Sequence, residues 1–211
     1  MNRRHFLLLA GLQSAWLLTG CGRRKPAVAA LPSGARVLAL GDSLTAGYGA
    51  APEQAWPSVL AQLTGWEVEN EGVNGDTSAA ALQRLDDLLA ASRYDAVLVA
   101  IGGNDMLRGM SRQATQDNVT AIVHRALAHT PYVALVATPA PAPLRAAVGS
   151  LSDADFYEEV AAAEKVLLIP GVYSSVLSSA ALRSDRIHAN AKGYATVADR
   201  LAEQLGAAGW R

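Results

Sequence analysis

The chain has 211 residues, of which 51% are hydrophobic and 18% are charged, so its composition predicts an ordered globular protein of one domain with short extensions. A formal net charge of −1 gives no electrostatic support for binding to nucleic acid. The single cysteine, Cys21, excludes an intramolecular disulfide and a cysteine-based zinc site.

The amino-terminal segment has the layout of a secretory signal. Two arginines precede a mostly apolar stretch, Phe6–Leu18, which is too short for a comfortable membrane span. The next residues complete the sequence LTGC, which resembles a bacterial lipobox and implies cleavage before Cys21 and attachment of lipid to its thiol. The sequence therefore predicts a signal peptide over residues 1–20 and a membrane anchor on Cys21. An uncleaved amino-terminal anchor is the alternative.

The flanking residues indicate an export route and a destination. Arg3–Leu7 resembles a twin-arginine export signal, but adjacent arginines also occur in general secretory signals, so both routes stay open. Gly22 stands where an inner-membrane retention signal usually has Asp, and this favours the outer membrane in a host that has one. Residues 21–34 contain basic residues and two prolines and are predicted to be the lipidated cysteine and its tether, followed by the folded domain over 35–211.

A buried strand and a tight turn begin the predicted domain. The apolar run Val37–Leu40 ends at Gly41 and is followed at once by Asp42 and Ser43. A run of this length bounded by glycine is typical of a buried strand, and the small residues after it predict a turn into a helix. Gly41 is expected to let the chain turn there, which leaves Ser43 at the carboxyl end of the strand, where open α/β sheets bind ligands. An Asp or Ser at this place is also typical of a helix cap.

Strands and helices alternate along the remainder of the chain. Apolar runs and period-two patterns predict four more strands, over Trp66–Val73, Ala96–Ile101, Tyr132–Ala137 and Val166–Ile169. Helical spacing predicts helices after Thr77 and over Trp56–Leu63, Ser111–His129, Phe156–Glu164 and Ala191–Leu205. This alternation predicts right-handed crossovers and a single-domain three-layer α/β/α sandwich with a five-stranded parallel sheet.

Turns rich in glycine and polar residues follow three of the predicted strands. They contain Gly41-Asp42-Ser43, Asn74-Gly75-Asp76 and Gly102-Gly103-Asn104-Asp105. Because the carboxyl ends of parallel strands lie on one edge of a sheet, we expect the three turns to converge. Each turn alone is also explained as an ordinary strand–helix loop.

Asp185 and His188 lie just ahead of the last predicted helix. Positions three apart share one side of a helical turn, so a short loop can present both side chains together. This arrangement suits a carboxylate that orients a histidine acting as a general base. The alternative is an Asp that caps a turn beside a solvated His. No group of His, Asp and Glu has convincing metal spacing, and no cofactor is predicted.

The four blocks GDSL at 41–44, Gly75, GGND at 102–105 and DRIH at 185–188 resemble, in this order, the SGNH (GDSL-type) hydrolases. The stretches GDSLTAGYG and GGNDMLRG are especially similar to the bacterial branch of thioesterase I, lysophospholipase L1 and arylesterase. The match is dense over Arg36–Gly109 and returns at Ser184–Tyr194, whereas Pro139–Leu182 matches poorly. The resemblance implies the flavodoxin-like SGNH hydrolase fold.

The resemblance also implies roles for individual residues. It makes Ser43 the nucleophile, His188 the base and Asp185 the residue that orients the base. It assigns the oxyanion hole to the backbone N–H groups of Ser43 and Gly75 and to the side-chain amide of Asn104. A serine hydroxyl needs a base to attack, and the tetrahedral oxyanion needs preorganised donors. Three further residues are expected to hold these turns in shape: Asp42, Asn74 and Asp105.

The predicted reaction is the hydrolysis of a small-molecule or lipid ester, or a thioester, through an acyl-enzyme. Thr138–Ser150 is an apolar, proline-stiffened loop on the same edge of the sheet, where loops commonly determine specificity. Leu144 and Val148 are expected to line an acyl groove, with a rigid surface loop as the alternative. We expect an acyl esterase or lysophospholipase at the cell envelope. Alternatives are a carbohydrate or peptidoglycan O-acetylesterase and an inactive ligand-binding lipoprotein; no oligomer is implied.

Overall fold

A parallel sheet of five strands lies at the centre of the computed structural model, which describes residues 29–141 and 149–211. The strands stand in the order β2-β1-β3-β4-β5, which confirms the predicted sheet. Their bounds are β1 Arg36–Gly41, β2 Glu67–Gly72, β3 Ala96–Ala100, β4 Val133–Val136 and β5 Leu167–Ile169. The signal peptide, the Cys21 anchor and the groove residues Leu144 and Val148 lie outside the described residues.

Helices cover both faces of the sheet. They are α1 Ser43–Ala46, α2 Trp56–Thr64, α3 Ser78–Ala91, α4 Gly103–Leu107, α5 Arg112–His129, α6 Phe156–Glu164, α7 Val172–Ser178 and α8 Ala191–Ala207. Single 3₁₀ turns occur at Pro52–Gln54 and Ala180–Leu182. No helix within 29–141 or 149–211 combines the length and the apolar character needed to cross a membrane.

Each face of the sheet builds its own hydrophobic core. Alternate residues of β3 point to opposite faces, with Leu98 in one core and Val97 and Val99 in the other. The first core packs the sheet against α2, α7 and α8, and the second packs it against α3, α5 and α6. A strand buried on both faces must be apolar at every position, which explains the uninterrupted run in β3.

The observed helices differ from the predicted ones mainly at short elements. Most predicted helix bounds agree with the structure, and the others are displaced by one or two residues, because caps and not apolar periodicity alone decide where a helix begins and ends. For example, the Thr77 hydroxyl accepts from Ala80 N–H at the start of α3. The sequence did not predict α4 or α7, since five and seven residues are too few to display a helical period.

Candidate active site

The turn after β1 leaves the Ser43 side chain free of a capping role. The Asp42 carboxylate caps α1 by accepting from Leu44 N–H at 2.9 Å, and Ser43 is the first helical residue. A Cβ at Gly41 would lie 2.1 Å from Thr45 Oγ1 and 2.7 Å from the Ala100 carbonyl oxygen. Gly41 does not have a positive φ, so a glycine is required there because a side chain would not fit. This differs from the expectation that glycine is needed for its backbone freedom.

Ser43, His188 and Asp185 form one chain of hydrogen bonds. Ser43 Oγ lies 3.0 Å from His188 Nε2, and His188 Nδ1 lies 2.7 Å from Asp185 Oδ2. The other carboxylate oxygen, Oδ1, accepts from the backbone N–H groups of Ile187 and His188 at 2.8 Å each. The short loop therefore presents the carboxylate and the imidazole together, and the hydroxyl reaches them from 145 residues away in the sequence.

The carboxylate of Asp185 stays ionised over a wide range of pH. Partial burial raises the pKa of Asp185, but the hydrogen bonds from the His188 ring and from the Ile187 and His188 N–H groups outweigh burial, and the net pKa is lowered. An ionised Asp185 can hold the imidazole ring with one nitrogen facing Ser43.

Several contacts hold the loop that carries His188. The imidazole ring of His188 packs against the ring of Tyr48, with 4.5 Å between centroids. Tyr194 Oη donates in turn to the Tyr48 carbonyl at 2.9 Å. The Ser184 N–H donates to the His188 carbonyl at 3.0 Å. Asn190 caps α8 and donates through its amide to the carbonyls of Ala181 and Arg183. The stacking of Tyr48 on His188 was not predicted, because it joins segments that are distant in the sequence.

The expected oxyanion donors line the same cleft as Ser43 and His188. Gly75 has a φ of +78°, a conformation that favours glycine, while a Cβ there would meet only Arg108 at 3.4 Å. The Asn104 amide donates to the Asp76 carbonyl at 3.0 Å and, more weakly, to Asp42 Oδ2 at 3.4 Å. The long second bond leaves one Asn104 hydrogen able to turn towards a substrate oxygen.

The three residues expected to hold the turns in shape differ in their burial and in their contacts. Asp105 is fully buried and accepts from Ser78 N–H at 2.8 Å and from Ser78 Oγ at 2.5 Å, so it ties α4 to the start of α3. Asn74 is exposed and lines the cleft. Asp42 is only 2% exposed; burial raises its pKa to about 6, although the Leu44 N–H and His188 lower it. Asp42 therefore changes its charge within a range of pH accessible to experiment.

Apolar side chains contribute to the lining of the cleft. Leu44, Tyr48, Leu107 and Ile187 line it, and the last three are 51%, 50% and 42% exposed. Among the residues that the structure describes, six large hydrophobic side chains are exposed; besides these three they are Leu63, Val73 and Met110. Tyr48, Leu107 and Ile187 lie in or near the motifs of the site, and this proximity in the sequence indicates a role in lining the cleft. The prediction of Leu144 and Val148 as groove residues did not use this signal.

In the part of the chain that the structure describes, the site has no arrangement suited to a metal ion. Within 29–141 and 149–211, no group of three or more His, Cys, Asp or Glu side chains could hold one. The cleft contains a hydroxyl in contact with an imidazole, a carboxylate bonded to the other nitrogen of that imidazole, and amide groups that line the same cleft. These groups suit nucleophilic attack on a carbonyl carbon.

Comparisons with known proteins point to the same chemistry. The model of the GDSL-like Lipase/Acylhydrolase family matches residues 39–196. Thioesterase 1/protease 1/lysophospholipase L1 of Escherichia coli (strain K12) is 34% identical over 174 residues, covering 80% of this chain and 82% of that protein. An arylesterase of Vibrio mimicus is 29% identical over 183 residues, covering 84% and 91%. The crystal structure of TesA has a TM-score of 0.72 and 28% identity, covering 82% of this chain and 99% of that one.

Proposed function

The chain belongs to the GDSL-like lipase/acylhydrolase family and is an ester hydrolase, and we propose that it works through a covalent acyl intermediate on Ser43. The observation that carries this mechanism is the contact of 3.0 Å between Ser43 Oγ and His188 Nε2, with Asp185 behind the imidazole. A serine hydroxyl in this contact can lose its proton as it attacks, which its ordinary pKa would otherwise prevent.

The proposed reaction has two halves. In the first, His188 Nε2 takes the proton from Ser43 Oγ while the oxygen bonds to the carbonyl carbon. The resulting tetrahedral intermediate collapses, the bond to the leaving alcohol or thiol breaks, and His188 returns the proton to that group. In the second half, His188 takes a proton from water, the hydroxide attacks the acyl-Ser43 ester, and the carboxylic acid leaves as Ser43 regains its proton.

Three donors would stabilise the oxyanion in both halves. The Ser43 N–H lies at the start of α1, the Gly75 N–H in the turn after β2, and the Asn104 amide in α4. Backbone donors cost no reorganisation when charge develops, and loss of one donor of this kind typically lowers kcat by about 10²–10³-fold. The hydrogen bond from Asn104 to the Asp76 carbonyl fixes the amide near the cleft before the substrate arrives.

The decisive experiment combines a variant with chemical trapping. Ser43→Ala should lower kcat for a p-nitrophenyl ester by about 10⁴-fold or more without loss of folded structure. A fluorophosphonate should add its mass once to the wild type, on the peptide that contains Ser43, and not to the variant. Ser58→Ala removes a hydroxyl that only donates to the Pro52 carbonyl and should behave as the wild type. Turnover retained by Ser43→Ala would refute the mechanism.

The apolar residues that line the cleft support acyl chains longer than acetyl as substrates. Tyr48, Leu107 and Ile187 expose apolar surface beside the nucleophile, and each buried methylene contributes about 0.8 kcal/mol. We therefore favour an acyl esterase or lysophospholipase over a carbohydrate or peptidoglycan O-acetylesterase. A ladder of esters from acetyl to lauroyl should show kcat/KM rising with length. Turnover of acetyl esters and acetylated glycan alone would favour the second activity instead.

We propose further that the protein is exported and held at the cell envelope by lipid on Cys21. The described chain begins at Ala29, whose carbonyl accepts from Tyr132 Oη at 2.7 Å near the start of β4. This is the amino-terminal edge of the sheet, whereas the cleft lies at the carboxyl-terminal edge. Labelled palmitate should enter the wild type and not Cys21→Ser. A soluble, unlabelled wild type in the native host would contradict the anchor.

A further inference from the structure

One arginine outside the four sequence blocks touches two of the turns that build the cleft. Arg84 lies on α3, and its side chain is only 23% exposed. Its NH2 group donates to the carbonyl of Gly41 at 3.1 Å and to the carbonyl of Glu71 at 2.8 Å. Its Nε donates to Asp76 Oδ2 at 2.9 Å, and NH1 lies 3.5 Å from Glu71 Oε2.

Two partners of Arg84, Gly41 and Asp76, lie within two residues of the proposed oxyanion donors Ser43 and Gly75 in the sequence. Gly41 ends β1 and precedes the turn of Ser43, and Asp76 directly follows Gly75. The Gly41 carbonyl also accepts from Val73 N–H at 3.1 Å, so the two turns already share this group. One planar guanidinium with five donors can hold carbonyls and a carboxylate at fixed mutual angles, which an ammonium cannot.

The contact with Asp76 extends this link to the third donor. The Asp76 side chain is 6% exposed, and the backbone carbonyl of the same residue accepts from the Asn104 amide at 3.0 Å. Arg84 is thus connected to Asn104 through a single residue. Removing the guanidinium would leave the Asp76 carboxylate without its ion-pair partner and the carbonyls of Gly41 and Glu71 without this donor.

We propose that Arg84 is a positioning residue that sets the spacing of the Ser43, Gly75 and Asn104 donors around the oxyanion. The proposal rests on the oxyanion hole described above. An ion pair that merely stabilised the fold would affect the free energy of unfolding and leave kcat of the folded enzyme unchanged. If Arg84 instead holds the donors in place, its removal weakens the binding of the transition state more than that of the ground state.

The test compares Arg84→Met, Arg84→Lys and the control Arg125→Met. Arg125 makes similar bonds, to the Leu82 carbonyl at 3.2 Å and to Asp86 at 2.8 Å, but it lies between α3 and α5, away from the cleft. Each variant is assayed with a soluble butyryl ester well below its midpoint of thermal unfolding. Binding of an alkylboronic acid, which forms a tetrahedral adduct with the serine, reports transition-state affinity separately.

We expect Arg84→Met to lower kcat by about 10–10²-fold, with KM within about threefold of the wild type. The boronic acid should bind more weakly by a similar factor, Arg84→Lys should be intermediate, and Arg125→Met should match the wild type. A kcat within twofold of the wild type in folded Arg84→Met would overturn the proposal.

The test still gives a result if a variant does not fold. If Arg84→Met does not fold, Arg84→Lys decides, because its charge remains near Asp76 while the planar fork is lost. Loss of fold in both would assign Arg84 to stability and overturn the proposal. Failure of the oxyanion mechanism itself is distinguishable, since wild-type enzyme would then be insensitive to the boronic acid.

Discussion

The buried carboxylate of Asp42 accepts a hydrogen bond from the Asn104 amide, with 3.4 Å between Asp42 Oδ2 and Asn104 Nδ2. Its other oxygen accepts from Leu44 N–H and caps the helix that begins with Ser43. The residue before the nucleophile therefore contacts the residue that carries the amide donor. Because this carboxylate is buried, its ionisation is linked to the stability of the fold.

Asp42→Asn should make the stability less sensitive to pH. Burial raises the pKa of Asp42 from 3.8 to about 6, so the folded state binds the proton more tightly than the unfolded state. The stabilising effect is complete below pH 3.8 and is lost as pH rises through about 6. It amounts to up to about 3 kcal/mol, at about 1.36 kcal/mol per pH unit. Urea unfolding at pH 4, 5, 6 and 7 should show that the free energy of unfolding of the variant increases relative to that of the wild type as the pH rises.

A difference in the free energy of unfolding between Asp42→Asn and the wild type that is the same at every pH does not affect this test, because the test uses only the change with pH. The new amide nitrogen would face the Asn104 amide, and that repulsion does not depend on pH. Asp86→Asn, which removes an exposed carboxylate paired with Arg125, serves as the control for the loss of a carboxylate at the surface. A difference in free energy of unfolding that stays the same from pH 4 to 7 would refute the linkage.

Asp185→Asn should lower kcat by about 10²–10⁴-fold and change KM little. The carboxylate accepts from His188 Nδ1 at 2.7 Å, and an amide in its place can turn its nitrogen towards the ring and favour the wrong tautomer. The Asp185 side chain is 46% exposed, so water can replace part of the lost interaction. Steady-state kinetics with a soluble ester measure the effect, with Asp86→Asn again as the control. An unchanged kcat would remove Asp185 from the mechanism.

Much of the fold could be predicted because its signals are local. The apolar run of β3 needs only burial on both faces, and the turns after β1, β2 and β3 carry their own glycine and polar residues. Parallel pairing then brings these turns to one edge without knowledge of any side-chain contact.

The parts that could not be predicted depend on contacts between distant segments. Arg84 looks like one polar position on an amphipathic helix, and only the folded chain brings it to the Gly41 carbonyl, 43 residues away. The stacking of Tyr48 on His188 is equally invisible to periodicity.

Gly41→Ala should destabilise the fold by about 1–3 kcal/mol, the usual range for an extra group in a packed interior. The new Cβ would lie 2.1 Å from Thr45 Oγ1 and 2.7 Å from the Ala100 carbonyl oxygen, and the backbone carbonyl cannot move freely. Gly206→Ala is the matched control, since a Cβ there meets only Arg211 at 3.8 Å and alanine favours the helix. Equal midpoints of unfolding for the Gly41 variant and the wild type would show that the turn can relax.

Leu107→Ala should shorten the preferred acyl chain without impairing the chemistry. The Leu107 side chain lines the cleft beside Asn104 and is 50% exposed, so an acyl chain lying on it would bury apolar surface that water now contacts. Partial burial of a leucine contributes about 1 kcal/mol, which corresponds to a loss of about fivefold in kcat/KM for octanoyl esters. Acetyl esters, which are too short to reach this surface, should keep their wild-type rate. Leu63→Ala removes a leucine that is 41% exposed from α2, outside the cleft, and should leave the whole profile unchanged. An equal loss for acetyl and octanoyl esters would mean that Leu107 supports the Asn104 turn and does not contact the acyl chain.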